Sequence, residues 1–242
     1  MGGAPADDAR TVRVAVASNF RGVQEALAEA FGERTGHRVV ASSGSTGTLH
    51  AQIVNGAPFH VLLAADTLRP ARLEAEARAV PGSRFTYALG RLVLWGSQAG
   101  PGRAEVGPGL LASPGLERLA LANPRTAPYG AAAAQVLERF GLPTAAGPLL
   151  VTGESVQQAW QFARTGAVDG ALVALSLVAG EPLGSYWVVP DSLHAPLRQD
   201  AVLLGGAAGH GPALAYLAFL RTPEARAIIR AAGYGLPDGD AG

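Results

Sequence analysis

The spacing of apolar residues changes period again and again along this chain. Residues 11–17 alternate through Val12, Val14 and Val16, the two-residue period of a strand. Beyond Ser18-Asn19 the apolar positions move to helical spacing at Phe20, Val23, Leu27, Ala30 and Phe31, and Thr35-Gly36 supplies a stop. A second pair follows: an apolar run at 39–41, then a helix through Leu49, Ala51 and Ile53 that ends at Asn55-Gly56. Residues 59–64 and 68–77 make a third. Strand–helix units in series predict a parallel sheet with right-handed crossovers, whose strand ends open on one edge. Ligands of such sheets sit outside those ends.

The rhythm breaks at residues 85–95, where two strand-like runs follow each other with no helix between them. Such a break is expected where a chain crosses from one lobe to another. Residues 96–115, rich in Gly and Pro, read as surface loop. Within them, 107–112 loosely matches a dinucleotide fingerprint, but no strand precedes it and a proline interrupts it, so the match is discounted. Alternation resumes with strands at 119–122, 149–152, 171–175, 186–189 and 199–204. Pro128 stands where a helix begins, with Tyr129 in its first turn. Ser155 is placed as an N-cap, which leaves the Val156 N–H a free donor. Residues 205–211 read as a connection, and helices at 213–220 and 223–232 close the chain. The division expected is lobe 1 over 11–88 and 201–242, lobe 2 over 89–200, and a flexible leader over 1–10. No internal repeat of fixed period is present.

The stretch with the most chemical content is 42–47, made only of Ser, Thr and Gly between a strand and a helix. A helix entered through such a loop has unpaired N–H groups, hydroxyls beside them, and glycines that let a bound group come close. That combination suits an oxyanion. It equally suits an ordinary capping loop. Ser18 falls on the same edge, placed as the N-cap of the first helix, and the same two readings apply to it. The chain contains no lysine, so the loop is not a nucleotide P-loop, which needs one on the phosphates.

Composition narrows the partners. Apolar residues make up 48% of the chain and charged residues 16%, which excludes disorder. Formal net charge is zero and no basic stripe interleaved with aromatics appears, which argues against nucleic acid. The longest apolar run, 171–179, is too short to span a bilayer. Cysteine is absent, removing thiolate metal sites, thiol catalysis and disulfides. The first ten residues lack an n-region and an h-region, and read as a leader on a cytosolic protein or as a mature exported one with a replacement start methionine. No Gly-x-Ser-x-Gly elbow occurs, and none of the five histidines has metal-ligand spacing. Asp66 is the best lone carboxylate and reads as a cap or hinge contact. Donors remain at helix starts: Ser18, Asn19, Ser45, Thr46, Tyr129 and the Val156 N–H. Donors without an acid, base or nucleophile describe binding rather than turnover.

These residues also carry a family resemblance. Ala17-Ser18-Asn19-Phe20, Ser42-Ser43-Gly44-Ser45-Thr46-Gly47-Thr48-Leu49, residues 87–95, Ala122-Asn123-Pro124 with Ala127-Pro128-Tyr129-Gly130, and Gly153-Glu154-Ser155-Val156-Gln157-Gln158-Ala159 resemble the periplasmic molybdate-binding proteins of molybdenum ABC transporters. The match runs over about 11–237. It implies an α/β, two-lobed type II periplasmic binding protein fold. Each lobe is then a doubly wound, mostly parallel sheet, with two crossover strands and an oxyanion in the cleft. By matching motif, Ser18, Asn19 and Thr46, with Ser45 beside it, would donate from lobe 1, and Tyr129 and Val156 from lobe 2. Any metal contact runs through the oxygens of molybdate or tungstate, and no cofactor is implied. The partner implied is a membrane permease, the location periplasmic with the signal peptide gone, and the state monomeric.

The chain departs from the family twice. Some members place a tyrosine ligand in the strand that is here 170–175, which has none; the chain resembles instead the branch with Asn after the first Ser or Thr. His60 stands where many relatives carry an acidic residue. The alternative to a receptor is a hydrolase or transferase using the same anion pocket on a phosphorylated small molecule. A regulator's effector domain would need a DNA-reading segment, which is absent.

Overall fold

The computed structural model describes residues 10–97, 106–142, 148–180 and 184–237. The expected leader thus lies, but for Arg10, outside the described residues. In chain order the elements are β1 (Thr11–Ala17), α1 (Arg21–Thr35), β2 (Arg38–Gly44), α2 (Thr46–Val54), β3 (Val61–Leu63), α3 (Leu68–Ala75), β4 (Phe85–Leu89), β5 (Leu92–Gly96) and β6 (Arg118–Ala122). They continue with α4 (Pro128–Arg139), β7 (Leu149–Gly153), α5 (Val156–Arg164), β8 (Gly170–Ala174), α6 (Leu175–Val178), β9 (Ser185–Val188), β10 (Arg198–Leu203), α7 (Gly211–Phe219) and α8 (Pro223–Ala231).

The chain folds as two compact lobes. One runs to Leu89 and resumes at Arg198; the other spans Gly90–Leu197. The expected boundary at 200/201 therefore moves to 197/198. Strand β10 begins earlier than its apolar run, and Arg198 and Gln199 already pair with Leu89 and Ala88 of β4.

Each lobe is built on a five-stranded sheet, ordered β2-β1-β3-β10-β4 in lobe 1 and β7-β6-β8-β5-β9 in lobe 2. β1 is parallel to β2 and β3, and β10 is antiparallel to both β3 and β4. In lobe 2, β6 is parallel to β7 and β8, and β5 is antiparallel to β8 and β9. Each sheet therefore has one reversed strand, and it is the strand by which the chain enters that lobe from the other. The two lobes share a topology, although no repeat is visible in the sequence.

The period-2 pattern sorts side chains onto two faces of the first sheet. Val12, Val14 and Val16 pack on one face with Phe20, Leu27 and Phe31 and with Tyr216 and Ile229 of α7 and α8. Ala15, Leu62 and Val202 pack on the other with Leu49, Ile53 and Leu73 of α2 and α3. Helix α1 stops where Gly36 turns left-handed (φ 70°), its N–H closing on the Gly32 carbonyl.

Two expectations change. The predicted loop at 42–47 has shrunk to Ser45: Ser42, Ser43 and Gly44 extend β2 against Ala15, Val16 and Ala17, and Thr46 already opens α2. The connection at 205–211 is partly ordered as a 3-10 turn over Gly205–Ala207, after which His210 caps α7 by accepting from the Ala213 N–H. His60 ties the β1 and β3 strand starts together. The Arg13 N–H donates to its Nδ1 at 3.2 Å, and the Arg13 guanidinium lies 2.8 Å from its Nε2.

Candidate functional site

In lobe 1, β1, β2 and β3 end side by side, and the order 2-1-3 places the topological switch at β1. The residues that leave those three strands meet there. Ser18 and Asn19 follow β1, Ser45 and Thr46 follow β2, and Ala64 and Ala65 follow β3. The pairing of Ala17 with Gly44 brings the first two exits together. A bond from the Ala65 N–H to Thr46 Oγ1 at 3.0 Å brings in the third. Ser18, Asn19, Ser45 and Thr46 are all buried.

Their hydrogen-bonding capacity differs. Ser45 caps α2: its Oγ accepts from the Thr48 N–H and lies 2.8 Å from Thr48 Oγ1. Thr46 Oγ1 already accepts from Ala65, so its own proton is left to donate. Ser18 is not the N-cap that its sequence position suggested. Phe20 holds that place at α1, with no side-chain cap, and Ser18 opens a 3-10 turn, Ser18–Phe20, so its hydroxyl is not spent on the helix. The Asn19 side chain is engaged within lobe 1: its amide donates inward, to Gln199 Oε1 at 3.0 Å and to the Tyr234 hydroxyl at 2.9 Å.

Lobe 2 repeats the arrangement. β6 and β7 end together at the Ala122–Gly153 pair, and the Asn123 N–H donates to the Gly153 carbonyl at 2.8 Å. Asn123 Oδ1 accepts from the Arg125 N–H and its carbonyl from the Ala127 N–H, making the tight turn that delivers Pro128 to the first position of α4. Tyr129 follows and is buried. Ser155 caps α5 by accepting from the Gln158 N–H, as expected, so Val156 is the first helical residue and its N–H has no intrahelical acceptor. Glycine is required where these helices meet the strands. A Cβ on Gly130 would stand 2.3 Å from the Ala122 carbonyl oxygen, and one on Gly153 2.8 Å from the Ala159 nitrogen.

Near the lobe 1 strand ends, Asp66 and Asp200 are occupied. Asp66 accepts from the Arg69 N–H and pairs with the Arg69 guanidinium, the capping role expected of it. Asp200 is buried and accepts from Arg84 at 2.8 Å and from the Thr86 hydroxyl at 2.7 Å. The Glu74 and Asp200 carboxylates together push the Arg84 guanidinium further up. No group of three His, Cys, Asp or Glu residues that could hold a metal ion occurs among the described residues. No helix among them is long and apolar enough to cross a membrane.

A profile described as bacterial extracellular solute-binding protein matches residues 12–235, almost the whole chain. The chain belongs to this family. As a solute-binding protein it is a receptor, not an enzyme. It is 47% identical over 223 residues to "Molybdate-binding protein ModA" of Rhodobacter capsulatus, covering 92% of this chain and 87% of that one. It is 46% identical to the protein of the same name from Azotobacter vinelandii, over 96% of this chain and 92% of the other. The solved structure of the "Azotobacter vinelandii periplasmic molybdate-binding protein" superposes with a TM-score of 0.87 at 43% identity, covering 94% of this solute-binding protein and all of that chain. The resemblance read from the sequence is borne out, and so is its two-lobed fold.

Sequence reading missed the residues that hold the lobe 1 donors in place. Gln199, Tyr87 and Tyr234 come from distant parts of the chain, and no local motif joins them. One signal was available: Gln199-Asp200 puts two buried polar residues directly before the buried apolar run of β10.

Proposed function

We propose that this protein captures molybdate, and tungstate equally, with neutral donors contributed by each lobe, and delivers it to the membrane permease of an ABC importer. Ser18, the Asn19 N–H and Thr46, with Ser45 beside them, serve from lobe 1. Tyr129 and the Val156 N–H serve from lobe 2. The protein works in the periplasm as a monomer and contacts the metal only through the oxyanion's oxygens.

The observation that carries this reading is the character of the donors. All are hydroxyls or backbone N–H groups at strand ends and helix starts, and Asp66 and Asp200 are tied to arginines. A fully ionised tetrahedral dianion is stabilised by such aligned dipoles without burying a counter-charge, whose desolvation is costly. Two relatives at almost half identity, both named as molybdate-binding proteins, support the same ligand.

Thermal melting tests it. A ligand bound only by the folded state, at a hundredfold excess over Kd, adds about 2.7 kcal/mol, which is a melting shift of roughly 5–10 °C for a chain of this size. Molybdate and tungstate should both give it. A shift with phosphate or a nucleotide but none with molybdate would reject the proposal.

A further inference from the structure

Asn19 is held through both its side chain and its main chain. Its amide donates to Gln199 Oε1 and to the Tyr234 hydroxyl, and the Tyr234 hydroxyl donates back to the Asn19 carbonyl at 2.7 Å. One phenol thus clamps both the side chain and the main chain of a single residue. Tyr87 joins the set: its hydroxyl lies 3.2 Å from Gln199 Oε1 and 3.2 Å from the Ala64 carbonyl. All four side chains are buried, Gln199 completely. Phe20 of the same turn packs edge-on against the rings of Tyr87 and Tyr234, with centroids 4.8 and 5.2 Å away.

The residues that hold the turn belong to the segments where the chain passes between lobes. Gln199 directly follows the return at Arg198, and Tyr87 lies two positions before the exit at Leu89. Tyr234 precedes Gly235, which exchanges both backbone hydrogen bonds with Leu89 at 2.8 and 2.9 Å. A Cβ on Gly235 would sit 3.1 Å from Leu89 Cβ, so this pairing is close. The acceptor in the centre is an uncharged amide. A carboxylate there would accept the same bonds but would place a buried negative charge behind a turn that faces an anion.

We propose that Gln199 and Tyr234 are positioning residues for anion capture: they fix the Ser18–Asn19 turn so that its hydroxyl and N–H donors meet the ligand, and they tie it to both crossing segments. This rests on the proposed function. Neither residue touches the anion; each acts through Asn19.

The test is a calorimetric titration of molybdate against the unaltered protein, Tyr234→Phe, Gln199→Met, and Tyr234→Phe combined with either Ser18→Ala or Tyr129→Phe. Tyr234→Phe and Gln199→Met should each weaken molybdate roughly tenfold, since the hydrogen bonds they remove act on the ligand only at a distance. The losses from Tyr234→Phe and Ser18→Ala should combine to clearly less than their product, because both act through one turn. Those from Tyr234→Phe and Tyr129→Phe should multiply. A purely structural role would lower the ligand-free melting temperature without this selective coupling. Unchanged affinity in Tyr234→Phe, or losses that multiply with both partners, would overturn the inference. If Gln199→Met does not fold, Tyr234→Phe decides. Failure of the unaltered protein to bind molybdate would instead overturn the function, and this inference with it.

Discussion

In lobe 1 the proposed donors stand on a mesh of side-chain hydrogen bonds, whereas in lobe 2 they stand on glycines. The two sheets share an order, and in both the donors leave the ends of the first two strands. Yet Ser18 and Asn19 are fixed by Gln199 and Tyr234 from the far end of the chain, and Thr46 by the Ala65 N–H. Tyr129 and Val156 are fixed locally, by helices drawn onto the strand ends at Gly130 and Gly153. The difference teaches that one topology can aim donors by long-range polar contacts or by close backbone approach. The two solutions have different weak points.

The largest effect should come from breaking the glycine solution. Gly130→Ala forces a Cβ to 2.3 Å from a main-chain oxygen that no rotamer can avoid. It should cost about 3 kcal/mol or more of lobe 2 stability, the upper end of overpacking costs. In lobe 1, Gly44→Ala, at the position that pairs with Ala17 as Gly153 pairs with Ala122, meets only Leu49 at an ordinary 3.5 Å and should leave stability unchanged. Chemical denaturation of the two variants checks the contrast, and equal losses would erase it.

Next in size are the single donors. Ser18→Ala, Thr46→Val and Tyr129→Phe each remove one hydrogen bond to a charged group, worth roughly 1.5–3 kcal/mol, or about tenfold to hundredfold in affinity. Val156→Pro should fall in the same range. Proline is tolerated at the first helical position, and Ser155 before it is extended (φ −144°, ψ 165°), so the change removes the N–H with little strain. Val156→Ala keeps that N–H and should change affinity little. Calorimetry on the pair separates main chain from side chain, and an Ala variant weaker than the Pro variant would refute the assignment.

The smallest effect is acid sensitivity, which belongs to lobe 1. Burial, and then the Arg72 charge, hold His50 below its ordinary value of 6.5. The folded state therefore favours the neutral ring. Its contribution is present above the unfolded value and is lost as pH falls through the lowered folded one. Lobe 2 has one histidine, His194. Melting curves between neutral and mildly acid pH should show a slight loss that His50→Gln removes.

The contrast between the lobes also marks what the sequence could reveal. Valines at 12, 14 and 16 announced β1, and Ser155 announced α5, because these signals are local. The mixed character of each sheet was not legible, since β5 and β10 are set by where the chain returns. Ser42 to Gly44 looked like loop because Ser and Gly disfavour strands, and pairing with β1 overrides that preference. Ser18 looked like a cap because the 3-10 turn it opens, which puts the cap of α1 at Phe20, has no signature beside it. The inward hold on the Asn19 side chain was not legible because its partners, 180 and 215 residues away, leave no mark beside it.

Anion selectivity tests the central claim, that the ligand is held by neutral donors with no acceptor among them. Phosphate at neutral pH carries a proton on much of its population, and that proton needs an acceptor. A hydroxyl that turns to accept gives up a donor, and a buried polar group left without a partner costs about 1–3 kcal/mol, roughly tenfold to hundredfold. Sulfate escapes this penalty and is disfavoured for its smaller size. The decisive measurement is one competitive calorimetric series at neutral pH with molybdate, tungstate, sulfate and phosphate. The expected ranking is molybdate and tungstate together, then sulfate, then phosphate; phosphate binding more tightly than sulfate would contradict the account.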